Sequence, residues 1–109
     1  MLKSRFPIYS ESANIIEEIA TTSQLKINGV EYIPKGAIVT PKRIIAGFGS
    51  SEGLRVAERL SEVYGGDALK WSKYVGQIES SKYIFDIHWY YNLKIGSKEF
   101  KIKNYKVKK

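Results

Sequence analysis

The run Tyr83-Ile84-Phe85-Asp86-Ile87-His88-Trp89-Tyr90-Tyr91 constrains this chain more than any other segment. Aromatic and branched residues at this density favour extended backbone, and successive side chains along a strand point to opposite faces. Tyr83, Phe85, Ile87, Trp89 and Tyr91 therefore share one face, and Ile84, Asp86, His88 and Tyr90 share the other. The first set is apolar enough to be the core face. Lys98 to Val107 keeps the same period, so its Phe100 and Ile102 must face that core too. Pairing Trp89 with Phe100 and Ile87 with Ile102 satisfies this. It also sets His88 opposite Lys101, Asp86 opposite Lys103 and Tyr90 opposite Glu99. A slip of one residue would drive lysines inward, which fixes the register. On the other side Lys73 to Ser80 forms a third strand, and a tight turn at Ser80-Ser81 brings Lys73 beside His88. The predicted outcome is one sheet face carrying the only histidine, three lysines, a tyrosine and several carboxylates.

Upstream, the pattern predicts helices. Ser10 or Ser12 caps a first helix with Ile15, Ile16 and Ile19 on one face, and Thr21-Thr22-Ser23 ends it. Leu25 to Ile27 and Val30 to Ile33 flank Asn28-Gly29, a dipeptide suited to a type I′ hairpin turn. Pro34 to Pro41 reads as loop or edge strand, and Arg43 to Phe48 as a short buried strand. A second helix starts at a Ser50 or Ser51 cap, follows Val56, Ala57, Leu60, Val63 and Tyr64, and stops at Gly65-Gly66. Asp67 to Ser72 adds one further helical turn. The expected fold class is α+β: two N-terminal helices packed on a twisted antiparallel sheet of about four strands, with a C-terminal meander. A length of 109 residues suits one domain over 1–109.

Charge narrows the function. The net charge is +7, yet residues 1–69 hold eight basic and eight acidic residues. From Lys70 onward ten lysines face only Glu79, Asp86 and Glu99. An excess gathered in this way steers polyanions. A solvated basic surface is the plain alternative, as is an edge strand charged against aggregation through Lys101, Lys103, Lys106 and Lys108. The chain has no cysteine, which removes disulfides, thiolate metal sites and a cysteine nucleophile. One histidine among scattered carboxylates gives no zinc spacing, and no metal or other cofactor is expected. No stretch approaches the roughly twenty apolar residues of a membrane span, and Met1 to Glu11 lacks the apolar run of a signal peptide. Export, if any, is expected to depend on sequence outside this chain.

The residues on the predicted face suit RNA cleavage without a metal. The 2′-hydroxyl must lose a proton, the 5′-oxygen must gain one, and charge builds on phosphorus in between. Histidine, with an unperturbed pKa of about 6.5, can serve either transfer. Lysines aimed at the phosphate stabilise the developing charge. His88, Lys73, Lys101 and Tyr90 are thus the candidate catalytic residues, with Lys103, Arg55, Lys70, Lys42 and Arg43 as candidate RNA contacts. A lone strand histidine is more often inert, and Trp71 more naturally plugs the helix–sheet junction than meets a base. Gly47-Phe48-Gly49 resembles half of a phosphate-binding turn, without the third glycine or a Lys-Ser/Thr ending.

Five segments share a further likeness: Ile45 to Ser50, Leu54-Arg55 to Tyr64-Gly65-Gly66, Trp71-Ser72-Lys73, Ile87-His88-Trp89-Tyr90 and Glu99 to Lys103. This ordered set, spanning roughly residues 44–103, resembles C-terminal toxin modules of contact-dependent inhibition and other polymorphic toxins, grouped with barnase, EndoU, colicin and RelE-like ribonucleases. The resemblance implies two helices before a four-stranded antiparallel sheet and metal-independent cleavage of RNA, often tRNA. It implies delivery as the tail of a larger secreted or surface protein, action in the target-cell cytoplasm, and a cognate immunity protein with an acidic surface. His88, Lys73, Lys101 and Lys103, then Tyr90 and Arg55, are the positions the resemblance points to; Tyr91 stands where many relatives carry an acid. Two other functions fit the same composition: a non-catalytic RNA- or DNA-binding module, and a phage structural domain meeting an acidic protein.

Overall fold

In a computed structural model that describes residues 19–109, strands dominate. In chain order the elements are β1 (Ile19–Ala20), β2 (Leu25–Ile27), β3 (Val30–Ile33), β4 (Ile38–Gly47), α1 (Ala57–Tyr64), a 3₁₀ turn (Ala68–Lys70), β5 (Ser72–Glu79), β6 (Tyr83–Asn92) and β7 (Gly96–Val107). Strands β1-β4-β5-β6-β7 form a curled, half-barrel antiparallel sheet in that order, and β2-β3 is a separate hairpin. Among the described residues no helix is long and apolar enough to cross a membrane.

The two-helix α+β expectation is overturned: among the described residues the fold is mostly β with one α-helix. Residues 1–18, where most of the first predicted helix falls, lie outside the described residues. Its last positions are not helical, since Ile19 pairs with Val39 and Ala20 with Ile38. Thr21 does not end a helix either. It is buried, and its hydroxyl donates to the Pro34 carbonyl while accepting from the Gly36 amide, tying β1 to the loop after the hairpin. The second helix starts later than predicted. The Ser50 hydroxyl accepts from the Glu52 amide within a local turn, and Gly53 separates that turn from α1. Side-chain bonds of this kind compete with a helix start.

The hairpin follows its sequence signal. Asn28 and Gly29 both take positive φ, 51° and 82°, as a type I′ turn requires. The loop or edge strand read at Pro34 to Pro41 and the short strand at Arg43 to Phe48 merge over Ile38–Gly47 into the single ten-residue β4, while residues 34–37 stay outside it. Pro41 sits beside a register shift between Pro41 and Arg43, a place where sheets tolerate proline. Gly65 closes α1 at φ 96°, and the Asp67 carboxylate caps the following turn.

The predicted core face holds. Phe85, Ile87 and Trp89 are at most 1 % exposed, and they join Val39, Tyr74, Ile78 and Phe100 beneath Leu25 and Ile33 of the hairpin. Trp89 stacks on Tyr74 and on Phe100, each at 5.6 Å between ring centroids. Gly76 is required here, because a Cβ would press on the Thr40 carbonyl and the edge of Trp89. Trp71 is 1 % exposed beside Tyr64 and donates from Nε1 to the Gly65 carbonyl at 3.2 Å, so it does plug the junction of α1 with the sheet.

Candidate active site on the cationic face

The opposite face of the same strands is arranged in cross-strand rows. Arg43, Val75, His88 and Lys101 form one row; Ala46, Lys73, Tyr90 and Lys98 form the next. The predicted pairings of His88 with Lys101 and Ile87 with Ile102 are present. Three others are corrected. Tyr90 faces Lys98, not Glu99, and Asp86 faces Asn104, not Lys103, because β7 shifts register twice along β6. His88 faces Val75 while Lys73 faces Tyr90, because the turn falls on Ser81-Lys82, one residue later than predicted, with the Ser80 amide donating to the Tyr83 carbonyl. Each bulge adds one residue to β7 and changes the phase of its alternation: Lys101 keeps its predicted place between the two, while Lys98 stands where Glu99 was expected and Asn104 where Lys103 was. The patch therefore assembles despite the shifted partners.

A shallow cleft of about 300 Å³ is lined by His88, Lys73, Tyr90, Lys101, Arg59, Glu99, Trp89 and Phe100. His88 is partly buried, and its Nδ1 is enclosed with no hydrogen-bond partner among the described residues. Burial pushes the imidazole below its ordinary value, and the ammonium groups of Lys73, Lys103 and Lys101 push it further, against a weaker opposing pull from Asp86. The ring is held neutral near pH 7, the state that accepts a proton. Lys73 Nζ also lies 5.9 Å from the centre of the Tyr90 ring, near enough to share a ligand with it.

Sequence reasoning missed the other wall. Glu99 sits at the bulge with φ 60°, a left-handed conformation a glutamate rarely adopts. Both its carboxylate oxygens accept from Arg59, at 2.9 and 3.0 Å, and Tyr64 Oη donates to Oε2 at 2.8 Å. Hydrogen bonding from Arg59 holds the Glu99 carboxyl below the usual carboxylate range. With its oxygens engaged, Glu99 orients a guanidinium at the cleft. The pair is half exposed, so its importance is geometric more than energetic. Arg59 and Glu99 lie forty positions apart, and no local pattern links them. The one usable signal is a lone acid in an otherwise basic strand.

The remaining predicted contacts divide. Arg43 joins the His88 row, and Lys103 is close enough to act on the imidazole. Lys42 and Arg55 are exposed and line neither of the clefts described here. Lys70 belongs elsewhere, over the Phe48 ring in a second cleft. Gly47-Phe48-Gly49 does not cradle phosphate, since the Gly47 and Phe48 amides donate to the Glu52 and Trp71 carbonyls. Among the described residues no three His, Asp or Glu side chains converge as a metal site would require. No protein family, curated protein or solved structure matches the chain.

Proposed function

We propose that this protein is a metal-independent endoribonuclease acting through the His88 cleft. The observation that carries the reading is a partly buried imidazole lining an open cleft with Lys73 and Lys101, and with Lys103 near enough to act on it. His88 takes the proton from a ribose 2′-hydroxyl as its oxygen attacks phosphorus. Lys73, Lys101 and Arg59 hold the phosphate while negative charge builds on it. The bond from phosphorus to the 5′-oxygen breaks, that oxygen gains a proton from Tyr90, and a 2′,3′-cyclic phosphate and a 5′-hydroxyl remain. The basic rows of β5 and β7 supply the field that draws RNA in. Transfer RNA as substrate, a role in interbacterial competition and an acidic immunity protein rest on the toxin-module resemblance.

The test is incubation with total tRNA in the presence of EDTA. Cleavage leaving 2′,3′-cyclic ends, and abolished in His88→Ala, is the expected result. Intact RNA with the native protein, or equal cleavage by the variant, sinks the reading. The unpartnered Nδ1 favours one rival, a module that only binds RNA, because catalytic histidines are ordinarily oriented by a third group. That rival gives salt-sensitive binding without cleavage.

A further inference from the structure

The half-barrel has a second opening that the cleavage proposal does not use. It lies at the end of the core face that the hairpin leaves uncovered, and its volume is about 630 Å³, within the range of small-ligand sites. Its apolar lining comes from adjacent strands. Ile44 of β4 pairs with Tyr74 of β5, and the Tyr74 ring meets Tyr91 of β6 edge-on at 5.6 Å. Phe48 adds a ring that is 47 % exposed, with Lys70 Nζ 4.4 Å from its centre. Lys94 stands in the turn after β6, where its amide donates to Asn92 Oδ1 at 3.0 Å. The buried Asn92 also donates to the Asp67 carbonyl, so the turns that carry Lys70 and Lys94 are fixed to each other. The one acid in the lining, Asp67, already accepts from the Leu69 amide.

We propose that this cleft binds a nucleotide, with the base against Phe48 and Tyr91 and the phosphate between Lys70 and Lys94. Flat aromatic walls favour a planar ring over an aliphatic chain. Two ammonium groups against one engaged carboxylate favour an anion. Inorganic phosphate alone leaves the aromatic surface unused, and an uncharged ring leaves the lysines unmatched. A free mononucleotide and one unit of a single RNA strand offer the same chemistry. The proposal does not depend on catalysis at His88, whose cleft opens on the other face of the sheet.

Amide NMR titration of the full chain tests this, using AMP, adenosine, inorganic phosphate and an all-deoxy hexanucleotide that 2′-hydroxyl chemistry cannot cleave. AMP is expected to shift Phe48, Lys70, Leu93 and Lys94 saturably, with adenosine and phosphate each weaker. Phe48→Ala and Lys70→Ala alter exposed residues and should keep the native spectrum while weakening AMP about ten-fold each. His88→Ala should leave AMP binding unchanged. A hexanucleotide tighter than AMP identifies the strand as the source, and one weaker identifies the free nucleotide. Shifts confined to Lys73, His88 and Lys101, no saturable shift, or phosphate binding as well as AMP would overturn the proposal. RNA cleavage without nucleotide in this cleft removes only this inference; nucleotide in the cleft of a protein inert on RNA removes only the cleavage reading.

Discussion

Along β6 the two faces of the sheet part company residue by residue. Phe85, Ile87 and Trp89 are sealed, while Asp86, His88 and Tyr90 between them reach the cationic face. One face repays its ordering with apolar burial, worth about 25 cal/mol per Å². The other gathers like charges round a partly desolvated ring, which lowers stability. Such a concentration of like charge round a perturbed histidine is what singles this face out as the candidate site. The difference teaches that one period-two pattern lays down both a sealed apolar scaffold and a cationic face, with opposite energetic signs.

Substitutions can break that contrast. The largest effect is expected from His88→Ala, which should cut RNA cleavage by about 10²- to 10⁴-fold, measured as initial rates on tRNA, with the circular dichroism of the native protein retained. A matching loss of fold would place His88 with the core instead. Next comes Trp89→Ala, one residue along on the sealed face, expected to cost about 3–5 kcal/mol in urea unfolding because two stacked rings lose their common partner. Gly76→Ala should cost about 1–3 kcal/mol by the same assay, since its new methyl meets the Thr40 carbonyl and Trp89.

The smallest effect sharpens the comparison through pH. His88 titrates below an ordinary imidazole because of burial first and Lys73 second. The unfolded chain therefore binds the proton more readily. Charging the ring costs stability: the fold keeps its full stability above the ordinary imidazole pKa of about 6.5 and loses the difference as pH falls through the folded value. Cleavage by a neutral base follows the same direction, flat near pH 7 and falling on the acid side. In Lys73→Ala the histidine should titrate upward toward its ordinary value, as read by NMR of the ring protons. An unmoved titration would detach Lys73 from the site.

What could be read in the sequence was what alternation governs. The core stripe from Phe85 to Trp89, the His88–Lys101 pairing and the Asn28-Gly29 turn each follow from a local rule. The predicted end of the first helix differs because Ile19 fits an apolar helix face as well as a strand, and only pairing with Val39 decides between them. The cap expected at Ser50 or Ser51 is not found because a serine before an apolar period looks the same whether it caps a helix or, as Ser50 does, closes its own turn. The Tyr90 and Asp86 partners slipped because a bulge leaves no mark in a strand of alternating lysines. Arg59 and Glu99 escaped notice because their contact exists only once α1 lies against β7.

Among the described residues strand β7 has a sheet neighbour on one side only. Drawn away by its C-terminal end, it would surrender its bonds to β6 in succession rather than together, like a zip. A tether pulled at Lys109 should thus open the protein at lower force than one pulled along the strands, exposing β6 and its histidine row before the rest of the sheet gives way.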